Sequence, residues 1–176
     1  MTQFLKFIIV LIYVLSPTST YSIDQLNLKN LVIHNTPKKL EKLEFKNVYD
    51  ETIDISNFKN KLIILNFWAT WCSPCREEMP SLDKLSVNEE LENLKIIPIN
   101  IGRESVENAQ NFYKETNIKN LEIFYDQSLN LAKKLLLRGI PTTILINKNG
   151  EEFARIIGEV NFEDKKFVDW LKKYSY

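Results

Sequence analysis

A nearly continuous apolar run, Leu62-Ile63-Ile64-Leu65-Asn66-Phe67, passes through Trp68-Ala69-Thr70-Trp71 into Cys72-Ser73-Pro74-Cys75. Helical spacing begins there and continues over Ser73–Leu85. A run without alternation is the pattern of a strand covered on both faces, so the chain has to place layers on either side of it. The two cysteines therefore sit at a strand-to-helix junction. Pro80 lies inside the helical stretch and predicts a kink.

The rest of the pattern builds the layers. Leu43–Val48 and Thr52–Ile55 alternate around a turn and predict a short hairpin. A second strand is expected at Leu94–Ile101 and a third at Leu121–Tyr125. Between them a helix spans about 104–116, with Val106, Ala109, Phe112 and Tyr113 on one face. Leu129–Leu137 predicts another helix. Thr142–Ile146 and Glu152–Ile157 flank Asn147-Lys148-Asn149-Gly150, a strong hairpin signal. The last helix starts near Phe162, with Phe167, Val168 and Leu171 inward and Asn161, three residues before Asp164, as its N-cap. Strands alternating with helices and then an antiparallel hairpin predict one α/β domain with a mixed sheet, mostly parallel in its first half.

Residues 23–42 are polar with scattered leucines and read as an extended lead-in. The domain itself is expected over residues 36–176, after a lead-in over 23–35. Residues 1–22 have the layout of a secretory signal peptide: Lys6, an apolar run Phe7–Leu15, then small polar residues. The run is short of the ~20 residues of a spanning helix, although an uncleaved N-terminal anchor is the other reading. Export places the cysteines in a periplasmic compartment where a disulfide persists. Twenty-three basic and 23 acidic residues give a formal net charge of zero, without the basic excess of a nucleic-acid binder.

The chemistry of Cys72 and Cys75 follows from their place. A thiol at a helix N-terminus faces unpaired backbone N–H groups and the positive end of the helix dipole, and both stabilise thiolate. Thiolate is the nucleophile of disulfide exchange. Cys72 is expected to be the exposed attacking sulfur, and Cys75, one turn on, the resolving one. Pro74 in the first turn loses no hydrogen bond. A structural zinc site needs two further ligands, and only His34 and carboxylates are on offer. A purely structural disulfide closes a tiny loop and adds little stability. Two unrelated buried thiols have no need of the junction. The position favours a redox pair.

The segment Asn66-Phe67-Trp68-Ala69-Thr70-Trp71-Cys72-Ser73-Pro74-Cys75-Arg76-Glu77-Glu78-Met79-Pro80 resembles the active-site segment of the thioredoxin superfamily. More narrowly, it is similar to the exported TlpA/ResA-like disulfide reductases, over roughly residues 36–176. The resemblance implies a thioredoxin-like mixed sheet flanked by helices, with the N-terminal β-hairpin and the inserted helix near 104–116 as additions. It implies a cis proline at Pro141, in Arg138-Gly139-Ile140-Pro141-Thr142, with the backbone of Ile140 pairing with the substrate chain. Trp71, Ile140 and Pro141 are the expected substrate-binding residues. Asn66 stands where thioredoxins have a titrating aspartate. Glu78, one turn after Cys75, matches a functional glutamate of ResA-like proteins and is expected to tune the thiols and move protons; Glu77 is expected to be solvated.

Ser73 and Pro74 offer no cation to favour thiolate, and Glu78 is expected to oppose a nearby anion. Both push toward a reducing pair, whereas Arg76 pushes the other way. The resemblance implies a protein thiol-disulfide oxidoreductase acting as a reductase, with no cofactor and no metal. Its implied partners are client proteins in respiratory haem-protein maturation, apocytochrome c or copper-assembly proteins, and a membrane electron donor that re-reduces the pair. Dedicated cytochrome c reductases usually carry Gly-Val-x-Gly-x-Pro-Glu near the cis proline. Leu137-Arg138-Gly139-Ile140-Pro141-Thr142-Thr143 lacks that glutamate, which favours the broader TlpA-like group. Two other functions stay open: a Cu(I) metallochaperone, with His34 as the one available histidine, and a general disulfide oxidase or isomerase.

Overall fold

The structure, a computed structural model, describes residues 29–175. The leader read in residues 1–22 lies outside the described residues. Strands β1 (Leu31–Lys39), β2 (Glu44–Lys46), β3 (Thr52–Asp54) and β4 (Leu62–Trp68) lead to helix α1 (Ser73–Leu85). Strand β5 (Leu94–Asn100), helix α2 (Val106–Glu115), strand β6 (Phe124–Tyr125) and helix α3 (Asn130–Lys134) come next. Strands β7 (Thr142–Ile146) and β8 (Glu151–Ile157) and helix α4 (Lys165–Lys172) complete the order.

Among the described residues these strands form one sheet in the order β1-β8-β7-β4-β5-β6-β2-β3. The β4–β5 and β5–β6 pairs are parallel, and β4–β7, β7–β8, β1–β8, β2–β3 and β2–β6 are antiparallel. The sheet is mixed and carries the N-terminal hairpin at β2–β3, as expected, but it is not mostly parallel in its first half, because β1, β2 and β3 pair only antiparallel.

All seven residues of β4 are buried, and their alternation divides the core. Leu62, Ile64 and Trp68 face one cluster, with Met79 and Leu82 of α1, Phe112 and Tyr113 of α2, and Phe167 and Leu171 of α4. Ile63, Leu65 and Phe67 face the other, with Phe45 and Leu131. Strand side chains alternate with period two, so Asn66 falls on the α1 side. The helix α1 runs through Pro80.

Five other sequence expectations need correction. Residues 31–35, read as lead-in, form the first part of β1, which pairs Leu31–Ile33 with β8. This strand is at a sheet edge and mostly exposed, and it contains Pro37; such a strand shows neither continuous nor alternating apolarity. The strand expected at Leu121–Tyr125 is only Phe124–Tyr125. The amides of Lys119, Asn120 and Leu121 all donate to the Asp83 carboxylate instead, at 3.1, 2.7 and 3.1 Å. The helix expected over Leu129–Leu137 shrinks to α3, bracketed by Leu129 and Leu136 at φ of 58° and 54°. Val106 is exposed, leaving Ala109, Phe112 and Tyr113 as the buried face of α2. The N-cap of α4 is Asp164, whose Oδ1 accepts from Lys166 N–H and Phe167 N–H at 2.8 and 3.2 Å. Asn161 caps only the preceding turn, accepting from Glu163 N–H.

Candidate active site

Strand β4 ends at Trp68, the chain turns, and Cys72 becomes the N-cap of α1. Cys72 N–H donates to Ala69 O at 3.2 Å, and Arg76 N–H donates to Cys72 O at 3.1 Å. Cys72 Sγ accepts from Cys75 N–H at 3.2 Å. The two sulfurs are joined in a disulfide, with the Cα atoms 5.3 Å apart. This sulfur is thus held against an N-terminal amide, the place where a helix stabilises thiolate once the bond opens. Pro74 occupies the first turn of α1. Cys72 is 5% exposed and Cys75 wholly buried. Cys72 is the reachable sulfur of the two, though far less open than the expected exposed thiol.

Behind the pair lies a buried polar cluster. Glu78 is one turn from Cys75 on the same side of α1 and is 3% exposed. Its Oε1 accepts from Asn66 Nδ2 at 2.7 Å, and its Oε2 from Val160 N–H at 3.2 Å. Asn66 Nδ2 also donates to Thr143 Oγ1 at 2.9 Å. Burial pushes the Glu78 carboxyl up to about 8, against the opposing pull of the Asn66 and Val160 hydrogen bonds. The shift favours the neutral carboxyl and brings its titration close to neutral pH. Glu77 is exposed, as expected. A cavity lined by Glu77, Ser81, Glu159 and Val160 reaches Glu78 from solvent.

The Ile140–Pro141 bond is cis. Antiparallel pairing sets Thr142 opposite Phe67, so Pro141 lies level with the end of β4, where the chain turns toward Cys72. Thr142 Oγ1 donates to Gly139 O at 2.8 Å and Gly158 N–H to Pro141 O at 2.9 Å. Among the described residues nothing bonds the backbone of Ile140 between them. Trp71 is 68% exposed. A half-buried Ile140 with free backbone groups and an open indole flank the two ends of the site.

Arg76 turns toward α2. Its guanidinium lies 4.7 Å from the Phe112 ring centroid and pairs with Glu115 at 3.2 Å. His34, expected in an unstructured lead-in, stands in β1 with Nε2 2.8 Å from Glu152 Oε1. Arg155 binds the same carboxylate through Nε and Nη2, at 2.9 Å each. Among the described residues no three metal-ligating side chains converge. Sequence reasoning missed Thr143 and Val160. Their contacts to Asn66 and Glu78 span 77 and 82 positions, and Val160 contributes only a backbone N–H, so no local signal marks either.

The Redoxin family model matches residues 35–169. The thiol-disulfide oxidoreductase ResA of Bacillus thuringiensis subsp. konkukian is 31% identical over 123 residues, which cover 70% of this chain and 69% of that protein. Among solved structures, StoA from Bacillus subtilis superposes with a TM-score of 0.62 at 26% identity, covering 80% of this chain and 100% of that one. A thiol:disulfide interchange protein of the thioredoxin family from Chlorobium tepidum TLS has a TM-score of 0.65 at 23% identity, covering 81% of this chain and 98% of that one. This last likeness is one of fold.

Proposed function

The chain belongs to the Redoxin family and is a ResA-like thiol-disulfide oxidoreductase, and from that premise we propose that it works as an exported reductant of client-protein disulfides. The observation that carries this reading is the Cys72–Cys75 pair at the start of α1, with Glu78 buried one turn behind it.

In the reduced protein Cys72 thiolate attacks one sulfur of a client disulfide. A Cys72–client bond forms, the client S–S bond breaks, and one client thiolate leaves and takes up a proton. Cys75 then loses its proton and attacks Cys72 Sγ. The Cys72–Cys75 bond forms and the second client thiol is released. Two electrons pass to the client, and its two thiols take one proton from Cys75 and one from solvent. Glu78 serves the second step in its ionised form, accepting the Cys75 proton: a carboxyl pushed up to about 8 is a stronger base than an ordinary carboxylate and still titrates close to neutral pH. Its cavity connects it to solvent. Asn66 fixes the carboxyl through its amide and does not titrate. The client chain lies against Ile140, Pro141 and Trp71, with the free N–H and C=O of Ile140 available for pairing with its backbone.

The reducing direction is supported by Ser73 and Pro74, which bring no cation between the sulfurs. The residue pattern of 1–22 supports export, with the working domain beginning no later than β1. The motif's likeness to TlpA/ResA-like reductases supports clients whose cysteines receive haem or copper, and a membrane donor for re-reduction. Trapping tests the reading. A Cys75→Ser variant, expressed in its own compartment, accumulates mixed disulfides through Cys72, and mass spectrometry identifies the clients. A folded Cys75→Ser variant that captures no client contradicts it.

A further inference from the structure

The inserted segment between β5 and β6 grips the redox motif from both sides. Before the cysteines, Glu104 Oε1 accepts from Thr70 N–H at 2.9 Å. Thr70 lies in the turn Ala69–Trp71, and Ala69 O in turn accepts from Cys72 N–H. After the cysteines, Arg76 rests on Phe112 and pairs with Glu115, both in α2. Trp68, the last residue of β4, packs against Phe112 and Tyr113 at centroid distances of 4.8 and 5.5 Å.

The Glu104 contact is built rather than incidental. Its carboxylate folds back over Gly102, where a Cβ would sit 1.8 Å from Oε1 and 3.0 Å from Ala69 Cβ. No other residue at that position leaves room for it. Gln127 Nε2 donates to Glu104 O at 2.7 Å and holds the backbone. Glu104 Oε2 is buried without a protein partner. Trp68 Nε1, Asn100 Nδ2 and Tyr125 OH are buried and unpartnered as well. Register sets Asn100 beside both Trp68 and Tyr125. An oxygen buried without a donor adds nothing to folding, so the Thr70 contact is what this carboxylate visibly supplies.

We propose that Glu104 is a positioning residue for disulfide exchange, fixing the turn Ala69–Trp71 so that Cys72 and Trp71 keep their places while the Cys72–Cys75 bond opens and closes. The inserted segment is thus a clamp on the motif. Attack on Cys72 Sγ needs the client, Cys72 and Cys75 sulfurs in line, and a small displacement of the turn degrades that alignment. The proposal rests on Cys72 being the attacking sulfur.

The test compares wild type, Glu104→Ala and Glu104→Gln in the full domain. Glutamine keeps an oxygen for Thr70 N–H, whereas alanine removes it. The probe is a disulfide-bonded Cys-x-x-Cys peptide, mixed with reduced protein under single-turnover conditions. Exchange is expected to slow about tenfold in Glu104→Ala and to recover most of that loss in Glu104→Gln. Hydrogen exchange of the Thr70 amide is expected to accelerate in Glu104→Ala, with the Leu121 amide as an unchanged reference. An unaltered exchange rate in Glu104→Ala overturns the proposal. So does loss of its cooperative melt, which makes Glu104 a stability residue. A wild-type protein that fails to reduce the peptide sinks the proposed function instead, and the clamp with it.

Discussion

Replacing Glu78 with glutamine isolates one buried proton. In the folded chain burial pushes this carboxyl from 4.5 up to about 8. Between those values the native state holds a proton that the unfolded chain has released, so stability falls as pH rises through the window. Each pKa unit is worth about 1.4 kcal/mol. From pH 5 to pH 8 the wild type should therefore lose about 3 kcal/mol through this group alone. Glu78→Gln has no proton to lose. Its amide oxygen still accepts from Asn66, and its nitrogen faces Val160 N–H, which adds a penalty independent of pH. The assay is urea unfolding of the oxidised proteins at half-unit steps from pH 5 to pH 8. The difference between variant and wild type should tilt by about 3 kcal/mol in favour of the variant as pH rises. Parallel stability curves refute the placement of Glu78 as a buried acid. In the same variant the release of client from a Cys72-linked intermediate should slow, because no group is left to move the Cys75 proton.

Other perturbations separate stability from exchange. Asp83 accepts three backbone amides and the Asn120 side chain, so Asp83→Ala should lower unfolding stability by about 3 kcal/mol in urea without changing exchange in the folded protein. Leu136 sits at φ 54°, 78% exposed, in the left-handed region that favours glycine; Leu136→Gly should raise stability by about 0.5–1 kcal/mol in a thermal melt. Trp71→Ala should change stability by less than about 0.5 kcal/mol, yet slow reduction of a peptide disulfide more than reduction of oxidised glutathione, which reaches fewer surface residues.

What was legible in the sequence is what local pattern encodes. Leu62–Phe67 announced a central strand because burial on both faces removes alternation, and Asn147–Gly150 announced its hairpin because Gly150 takes a φ of +80°. The Cys72–Cys75 pair was visible from its place between strand and helix. Strand β1 was not, since an exposed edge strand interrupted by Pro37 has no periodicity to read. Glu78 could be singled out one turn from Cys75, but its upward shift comes from burial in the folded chain, and its Val160 partner lies 82 positions away. The grip of Glu104 on Thr70 spans 34 positions. It depends on an absent side chain at Gly102, and a glycine's spacing from the motif says nothing of what folds over it.

The reduction potential of the Cys72–Cys75 pair tests the central claim most directly. Equilibration with graded mixtures of reduced and oxidised dithiothreitol, read by mass after thiol alkylation, gives it in one experiment. A dedicated reductant of this architecture should lie at or below the thioredoxin value of about −270 mV. A value near or above about −180 mV, the range of isomerases and oxidants, contradicts the reducing role.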